Sequence, residues 1–147
     1  MNYDPGLPWR DVRGAGFNAH IGQIEFAPLG ANQWCVTVLL DERHVNVGGV
    51  CHGGMLLSLA DVAMGASTFI AGGGHPCATI QMDSHFLAAA KAGQRLVAVA
   101  TQLRKVRELS FMQCEIWAEG RQVMRASGTW KYLASGVPGA TDRGAII

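Results

Sequence analysis

The stretch HVNVGGVCHGG, residues 44–54, runs directly into a long apolar segment, and this combination decides the fold. From Gly54 to Ala71 the chain has no proline and a single charged residue, Asp61. At about 1.5 Å per residue, such a segment forms a helix of roughly 27 Å. Apolar side chains occupy most of its circumference, which is typical of a helix buried nearly all round. Three consecutive glycines, Gly72–Gly74, are a strong signal for its end.

One face of the predicted helix differs from the rest because its residues are small or polar. Steps of four, three, four and three residues align them along one narrow stripe. The stripe consists of Gly54, Ser58, Asp61, Gly65 and Thr68. An ionised carboxylate is too costly to bury without a partner, so Asp61 requires an explanation.

Three explanations of Asp61 follow from the residues alone. Asp61 is a structural residue bonded to a nearby backbone group, or the helix spans a membrane, or Asp61 is a catalytic base. The central charge and the glycines, set among mostly strand-like residues, disfavour a membrane span. Gly53 and Gly54 leave the amides of the first helical turn open, and a helix N-terminus attracts developing negative charge. A carboxylate two turns further on suits a base paired with an oxyanion hole. Spacing alone leaves the structural and catalytic interpretations equally open.

Length and composition indicate one globular domain. The 147 residues are 49% hydrophobic and 16% charged. The first residues have neither the basic flank nor the apolar core of a signal peptide. The four cysteines are scattered, without a Cys-x-x-Cys pair, as is typical of buried thiols in a reducing compartment. We therefore expect a cytoplasmic protein.

The net charge of +1 conceals a segregation along the chain. Residues 1–90 carry three basic and seven acidic side chains, whereas residues 91–147 carry nine basic and four acidic ones. Five cations come before Glu108 with no acid among them: Lys91, Arg95, Arg104, Lys105 and Arg107. They form a solvated surface, or they bind a phosphate-bearing ligand, to which arginine is well suited. Nucleic acid is disfavoured because the overall charge is near neutral and no aromatic residue interrupts the cluster.

Periodicity and turn residues predict the order of the elements. Residues 1–16 form an irregular lead-in, residues 17–133 the folded domain, and residues 134–147 a loose tail. Strands are expected in all or part of residues 17–26, then at 34–40, 77–87, 95–106, 110–118 and 122–133, with a turn at Pro28–Asn32. In the strand at 77–87, Ile80, Met82, Ser84 and Phe86 share one face. We expect that face to cover the helix and Thr79 to face away from it.

This order predicts an α+β fold in which one long helix packs against a curved antiparallel sheet. The strands that follow the helix are joined by short connections and should pair antiparallel. A single helix on one face of a sheet buries the apolar surface of both elements. The sheet edges remain open, and self-association is the expected remedy.

At this point a family resemblance can be named. The pattern His44-x-Asn46-x-x-Gly49-x-x-His52-Gly53-Gly54, with Asp61 seven residues later, resembles the hotdog-fold thioesterases, specifically the PaaI-like acyl-CoA branch. The resemblance covers about residues 17–133. It implies a central helix wrapped by an antiparallel sheet, a homodimer formed edge to edge, and often a homotetramer that is a dimer of dimers. After Phe86 the family often has a proline, where this chain has Ala88–Ala90. This departure leaves the identity of the acyl group undecided.

The resemblance also implies roles for particular residues. Asp61 would activate water, or attack directly, at the thioester carbonyl, and the Gly53 N–H would polarise that carbonyl. Thr79 would match a Ser or Thr of the same site, which in this family is shared between two chains. From the residues alone, Thr79 is equally an ordinary strand threonine.

Four further residues receive supporting roles from the resemblance. Asn46 and His52 would shape the site, with His52 near the thioester, and Arg104 and Arg107 would bind the phosphates of coenzyme A. The residues alone are equally compatible with a simpler interpretation, in which His52 hydrogen-bonds only the loop backbone and Asn46 is a turn residue.

We therefore expect an acyl-CoA thioesterase that hydrolyses a thioester to a free acid and coenzyme A without a metal or redox cofactor. His20, His75 and His85 lack the spacing of metal ligands. A non-catalytic acyl-CoA-binding module, such as a ligand sensor or an assembly domain, is the alternative. The carboxylate of Asp61 on the polar stripe favours the enzyme.

Overall fold

The computed structural model describes residues 1–12 and 15–134, which form seven strands, two α-helices and one short 3₁₀ helix. Of the tail predicted at residues 134–147, all but Ala134 lies outside the described residues. In chain order the elements are β1 (Arg10–Val12), α1 (Phe17–Ile21), β2 (Ile24–Gly30), β3 (Gln33–Leu39), the 3₁₀ helix (Glu42–His44), α2 (Gly53–Ala71), β4 (Cys77–Phe86), β5 (Arg95–Val106), β6 (Leu109–Ala118) and β7 (Arg121–Tyr132).

The seven strands form one antiparallel sheet in the order β1-β2-β3-β5-β6-β7-β4. The strands β5, β6 and β7 are successive hairpins, as the short connections predict. The strand β4 does not pair with β5, although only residues 87–94 separate them. It pairs with β7 at the edge of the sheet, and β5 pairs with β3 instead. The long helix lies between β3 and β4 in the chain, so the strands before and after it reach opposite parts of the sheet.

The helix α2 packs on the concave face of this sheet and forms its core. Nine of its 19 residues are buried, and its main sheet contacts are with β5, β6 and β4. Leu59 and Met64 have no exposed surface, and each such burial contributes about 1.5–3 kcal/mol. By length and composition α2 is the one helix among the described residues that could cross a membrane. Its contacts with the sheet account for that apolar character.

The strand β7, expected at residues 122–133, has one face turned toward the core. Its inward face carries Met124, Ala126, Gly128, Trp130 and Tyr132, all of them buried. The hairpin before it turns at Glu119 and Gly120, which both have positive φ, 48° and 80°. Two such residues give the backbone twist that a tight hairpin requires.

The strand predicted within residues 17–26 begins only at Ile24, because Phe17–Ile21 form the helix α1. Five residues are too few for an alternating pattern to distinguish a strand from a helix. Here the tertiary contacts of Ile21 favour the helix. The strand then continues through Pro28 to Gly30, where a turn was expected from Pro28 onwards. Pro28 pairs with Trp34 of β3 but lies beyond the end of β1, which pairs only with Ile24–Phe26, so it is at an open edge on that side, where proline is tolerated.

The segment expected to be an irregular lead-in is part of the fold. Besides contributing β1, it packs on the outer face of the sheet. Tyr3 and Trp9 stack there with ring centroids 5.2 Å apart, against the buried residues Ala27, Cys35 and Val97.

Candidate active site

The polar stripe of α2 divides into a buried half and an open half. Gly65 and Thr68 lie beneath β7, where a Cβ on Gly65 would be 3.3 Å from the Trp130 indole nitrogen. The Tyr132 hydroxyl donates a hydrogen bond to the carbonyl of Thr68, at 3.0 Å. In this half of the stripe, the close packing against β7 explains why the residues of α2 are small. Ser58 and Asp61, in the other half, are only half-buried.

Asp61 is hydrogen-bonded to Thr79. The prediction that Thr79 faces away from the helix is therefore wrong. The Thr79 hydroxyl donates to Asp61 Oδ1 at 2.7 Å. Thr79 pairs with Trp130 and Gln81 with Thr129, so Ile80 is an extra residue. Such a bulge shifts the alternation by one position. Thr79 therefore faces the helix together with Met82.

Ile80, predicted to cover the helix, is instead 58% exposed. The bonded partner of Asp61 is thus a side chain of its own chain, 18 residues further along the sequence. A structural Asp held by the backbone, as one interpretation of the sequence proposed, is not what the structure shows.

Asp61 opens onto a cavity of about 250 Å³, named here the Asp61 chamber. Its other lining residues are Phe17, Asn18, Leu57, Ser58, Val62 and Met82. Most of these walls are apolar. A carboxylate that is oriented by one hydroxyl and faces an apolar chamber is suited to accept a proton from a bound water.

The N-terminus of α2 carries a backbone amide open to a ligand. The N–H of Gly54 donates to Nδ1 of His52 at 2.8 Å, and those of Met55 and Leu56 donate to the His52 carbonyl. The N–H of Gly53 has no acceptor among the residues that the structure describes. An unpaired N–H at the positive end of a helix dipole is a suitable donor to an oxyanion. His52 itself acts as the helix cap.

Phe86 keeps position 53 small. A Cβ on Gly53 would lie 3.3 Å from two carbons of the Phe86 ring, which is itself 54% exposed. The absence of a side chain thus leaves the amide accessible beside this ring. The alternation in the sequence predicted the face of β4 on which Phe86 lies, but it gave no sign of the contact with Gly53.

Asn46 shapes the loop before the helix. Its Oδ1 accepts the N–H of Gly48 at 2.8 Å, and its backbone N–H donates to the carbonyl of Val50. Its carbonyl also accepts the N–H of Gly49. These are the contacts of a turn residue, the role that the sequence alone suggested. The side chain is exposed at the loop, and the predicted role of Asn46 toward substrate stays a prediction.

His44 is a positioning residue to which the sequence gave no role. Its buried ring accepts the Asp41 N–H at Nδ1, 2.9 Å away, which leaves Nε2–H to donate to the Ile21 carbonyl at 2.5 Å. Its own carbonyl accepts the N–H of His52 at 2.7 Å. It therefore connects α1, the loop and the cap of α2. Besides its place in the pattern that resembles the family, His44 has one local signal, a capping box with Asp41. Hydrogen bonds from Arg43 lower the pKa of Asp41 to about 2.

The two candidate groups, the Gly53 N–H and the Asp61 carboxylate, are separated along α2 within one chain. Gly53 and Asp61 are eight residues apart on α2. That spacing places their backbones about 12 Å apart along the axis and roughly 80° apart around it.

Arg104 and Arg107 lie far from both groups. They are exposed at the β5–β6 hairpin, where the N–H of Tyr132 donates to the Glu108 carbonyl. Because Tyr132 also contacts Thr68, this hairpin lies beside the C-terminal half of α2.

The basic run of the sequence does not form one patch. Lys91 precedes β5, and Arg95 begins this 12-residue strand and is bonded to Glu25 at 3.3 Å. Arg104 and Lys105 are near the strand's other end, and Lys105 lies over the Tyr132 ring. The strand therefore separates the cations into two groups.

The cysteines and the acidic residues supply no further reactive centre. The thiols are free, and burial raises the pKa of Cys35, Cys51 and Cys77 to about 11. Thiols of such high pKa are poor nucleophiles. Within residues 1–12 and 15–134, no three His, Cys, Asp or Glu side chains are grouped to hold a metal ion.

Comparison with known proteins defines the class. The sequence profile of the thioesterase superfamily matches residues 48–125, which include the end of the loop, α2, the strands β4 to β6 and the start of β7. The chain belongs to this superfamily. It is a thioester hydrolase with the hotdog fold, of the PaaI-like kind.

Three relatives illustrate the similarity. A Pseudomonas aeruginosa protein assigned as an esterase is 34% identical over 100 residues, 67% of this chain and 74% of its own length. Human acyl-coenzyme A thioesterase 13 is 22% identical over 117 residues, 80% of this chain and 84% of its own. The solved structure of a variant of the phenylacetic acid degradation protein PaaI from Thermus thermophilus has a TM-score of 0.72 and 25% identity, covering 80% of this chain and 98% of its own.

Proposed function

We propose that this protein hydrolyses acyl-coenzyme A thioesters, with Asp61 as the base or nucleophile and the Gly53 N–H as the oxyanion donor. The observation that carries the proposal is the pairing of a carboxylate, oriented by Thr79 at the mouth of an apolar chamber, with an unpaired helix N-terminal amide. The name of the human relative supports coenzyme A as the thiol part of the substrate.

The chemistry requires only these two groups. Asp61 takes a proton from water while the water oxygen attacks the carbonyl carbon, and the Gly53 N–H stabilises the oxyanion that forms. When the intermediate collapses, the C–S bond breaks and the proton held by Asp61 passes to the departing sulfur, so that coenzyme A leaves as the thiol. Alternatively, Asp61 attacks the carbonyl itself, the C–S bond breaks with departure of the coenzyme A thiolate, and water hydrolyses the resulting anhydride. Thioesters are reactive, so each group needs to contribute only about 10²–10³ in rate.

We further propose that the site is completed by a second copy of the chain. The separation of about 12 Å between Gly53 and Asp61 supports a carbonyl that contacts Gly53 of one copy and Asp61 of the other. The strand β4 supports the same arrangement, because it is a long edge strand that has no neighbour on its outer side within residues 1–12 and 15–134. Ile80, Phe86 and Leu87, on or just after it, are each more than half exposed. Edge-to-edge pairing would give a dimer, and two dimers the proposed tetramer.

Arg104 and Arg107 are proposed to bind the phosphates of coenzyme A. Their exposure, and the absence of carboxylate partners for them among the described residues, support this role. Their position beside the C-terminal half of α2 requires that the coenzyme extend away from the amide of Gly53.

Asn46 and His52 would hold the loop and helix cap that present this amide. The four free cysteines, three of them buried, support the further proposal that the protein works in the cytoplasm.

Thiol release from a panel of acyl-coenzyme A substrates tests the proposed activity. The panel should include phenylacetyl, hydroxybenzoyl and medium-chain acyl groups, since the sequence leaves the acyl group open. We expect catalytic release of coenzyme A from at least one member. Binding of all members without any release would identify an acyl-CoA-binding module instead.

Complementation between inactive variants tests the shared site. Asp61→Asn removes the base, and Gly53→Pro removes the N–H donor. Each variant alone should fold, dimerise and be inactive. After joint unfolding and refolding, a mixed dimer has one pocket with both lesions and one with neither. Random pairing should therefore restore about a quarter of wild-type activity. Mixed dimers that form and remain inactive would show that each pocket takes both groups from one chain.

A further inference from the structure

A second cavity adjoins the Asp61 chamber along the open half of the polar stripe. It also measures about 250 Å³ and lies beside the cap of α2, where His52, Gly54 and Met55 line it. We name it the His52 chamber. The two chambers have two lining residues in common, Phe17 and Ser58. Ser58 is on the floor, in α2 itself, whereas Phe17 comes from α1 above it.

The position of Phe17 is fixed by the other end of its short helix. Ile21, one turn further on, is 3% exposed, and its carbonyl accepts the His44 Nε2–H at 2.5 Å. The next residue, Gly22, has φ 115°, and a Cβ there would meet Val38, Arg43 and His44 at 3.6–3.7 Å. A glycine is therefore needed where the chain leaves α1. These contacts hold Phe17 over α2, although the Phe17 side chain itself is 67% exposed.

The Asp61 chamber has the composition of a site for an apolar group. Leu57, Val62 and Met82 form its walls together with Phe17. The Ser58 hydroxyl already donates a hydrogen bond to the Gly54 carbonyl at 2.7 Å, so it does not need a hydrogen-bond acceptor on the ligand. An apolar group here would lie next to the carboxylate of Asp61. In a thioester, the acyl chain is the apolar group attached to the carbonyl at which Asp61 is proposed to act.

We propose that Phe17 is the end wall of the acyl site and limits the length of the acyl group. This inference rests on the proposed function, because it takes the group in the Asp61 chamber to be the acyl part of a thioester. The Phe17 ring lies where the Asp61 chamber meets the His52 chamber. While the ring is present, an acyl chain must end within one chamber. Without the ring the two chambers join, which about doubles the volume available above Ser58.

Two substitutions of opposite effect test the role of Phe17. Phe17→Ala should join the chambers, and Phe17→Trp should shorten the Asp61 chamber. Both kcat and KM would be measured for butanoyl-, octanoyl- and dodecanoyl-coenzyme A. One methylene in an apolar pocket changes discrimination by about tenfold or more. In Phe17→Ala, the ratio of kcat/KM for the dodecanoyl substrate to kcat/KM for the butanoyl substrate should therefore rise at least tenfold. In Phe17→Trp, the ratio of kcat/KM for the octanoyl substrate to kcat/KM for the butanoyl substrate should fall.

A matched control separates this role from general loss of apolar surface. Leu39→Ala truncates another side chain that is about half exposed, at the end of β3 and outside both chambers. It should leave the substrate ratios unchanged. Thermal unfolding of each variant checks that the fold is retained.

A binding measurement keeps the test independent of turnover. The thioethers S-butyl- and S-dodecyl-coenzyme A cannot be hydrolysed, and calorimetry gives their Kd values for the same variants. Ratios that stay at the wild-type value in both Phe17 variants, for turnover and for binding, would overturn the role of Phe17 and leave the proposed function standing. If the wild type binds the thioethers with the expected Phe17 dependence but releases no thiol from any thioester, the hydrolytic function fails and the end wall stands. Absence of both binding and hydrolysis in the wild type would overturn both proposals.

Discussion

The Gly53 amide can be deleted with little other change, which makes it the sharpest test of the proposed chemistry. Gly53 is the first residue of α2, a position where proline is well tolerated because its N–H has no partner within the helix. The preceding His52 is extended, with φ −62° and ψ 135°, as a residue before proline must be. Gly53→Pro therefore removes one hydrogen-bond donor while the helix is retained.

Two numbers separate the effect on catalysis from the effect on folding. Loss of one oxyanion donor costs about 10²–10³ in kcat, or about 2.7–4 kcal/mol. The free energy of unfolding should change by only about 1 kcal/mol, because proline at a compatible position restricts the unfolded chain. Gly53→Ala is the matched control, since it adds the same Cβ, 3.3 Å from the Phe86 ring, and keeps the N–H. That ring is half exposed and can move, so alanine should cost about 0.5 kcal/mol, roughly a factor of two.

The assay is thiol release from the best acyl-coenzyme A substrate, with kcat and KM determined for the wild type, Gly53→Pro and Gly53→Ala. Thermal unfolding of all three checks the fold. We expect kcat of the proline variant to be at least a hundredfold below that of the alanine variant, as follows from the loss of one donor. If the two variants agree within about threefold, the Gly53 N–H does not stabilise the oxyanion.

Three other predictions follow from the site. Asp61→Asn should lower kcat by roughly 10²-fold or more without loss of stability, since a neutral amide replaces a half-buried charge; near-normal kcat would remove Asp61 from the chemistry. Thr79→Val removes the hydroxyl that orients Asp61 and should lower kcat roughly tenfold, with activity largely retained in Thr79→Ser; equal loss in both variants would point to packing. Arg104→Ala combined with Arg107→Ala should raise KM for acyl-coenzyme A at nearly constant kcat and remove its salt dependence, whereas thioesters on a pantetheine arm should be unaffected. If both kinds of substrate bind equally weakly, the arginines do not contact the coenzyme phosphates.

Local patterns in the sequence were sufficient for the main elements. The apolar run without proline and the three glycines after it predict a helix at residues 54–71, and α2 spans residues 53–71. The strand at 95–106 has the predicted bounds. The alternation in β7 identifies its buried face. The spacing of Gly54, Ser58 and Asp61 puts them on one side of α2, as observed. In each case the signal depends on neighbours a few residues apart, whose geometry the backbone itself fixes.

Only the tertiary structure decided which residues meet in the site. Ile80 is one extra residue in β4, and because the pairing with β7 places that bulge, Thr79 turns toward Asp61 rather than away from it. Phe17 belongs to a helix of five residues, too short for a periodic signal, and it is held over α2 by the contacts of Ile21 and His44. The sequence determined the elements because their patterns are local, whereas the contacts between elements depend on register and packing across residues far apart in the chain.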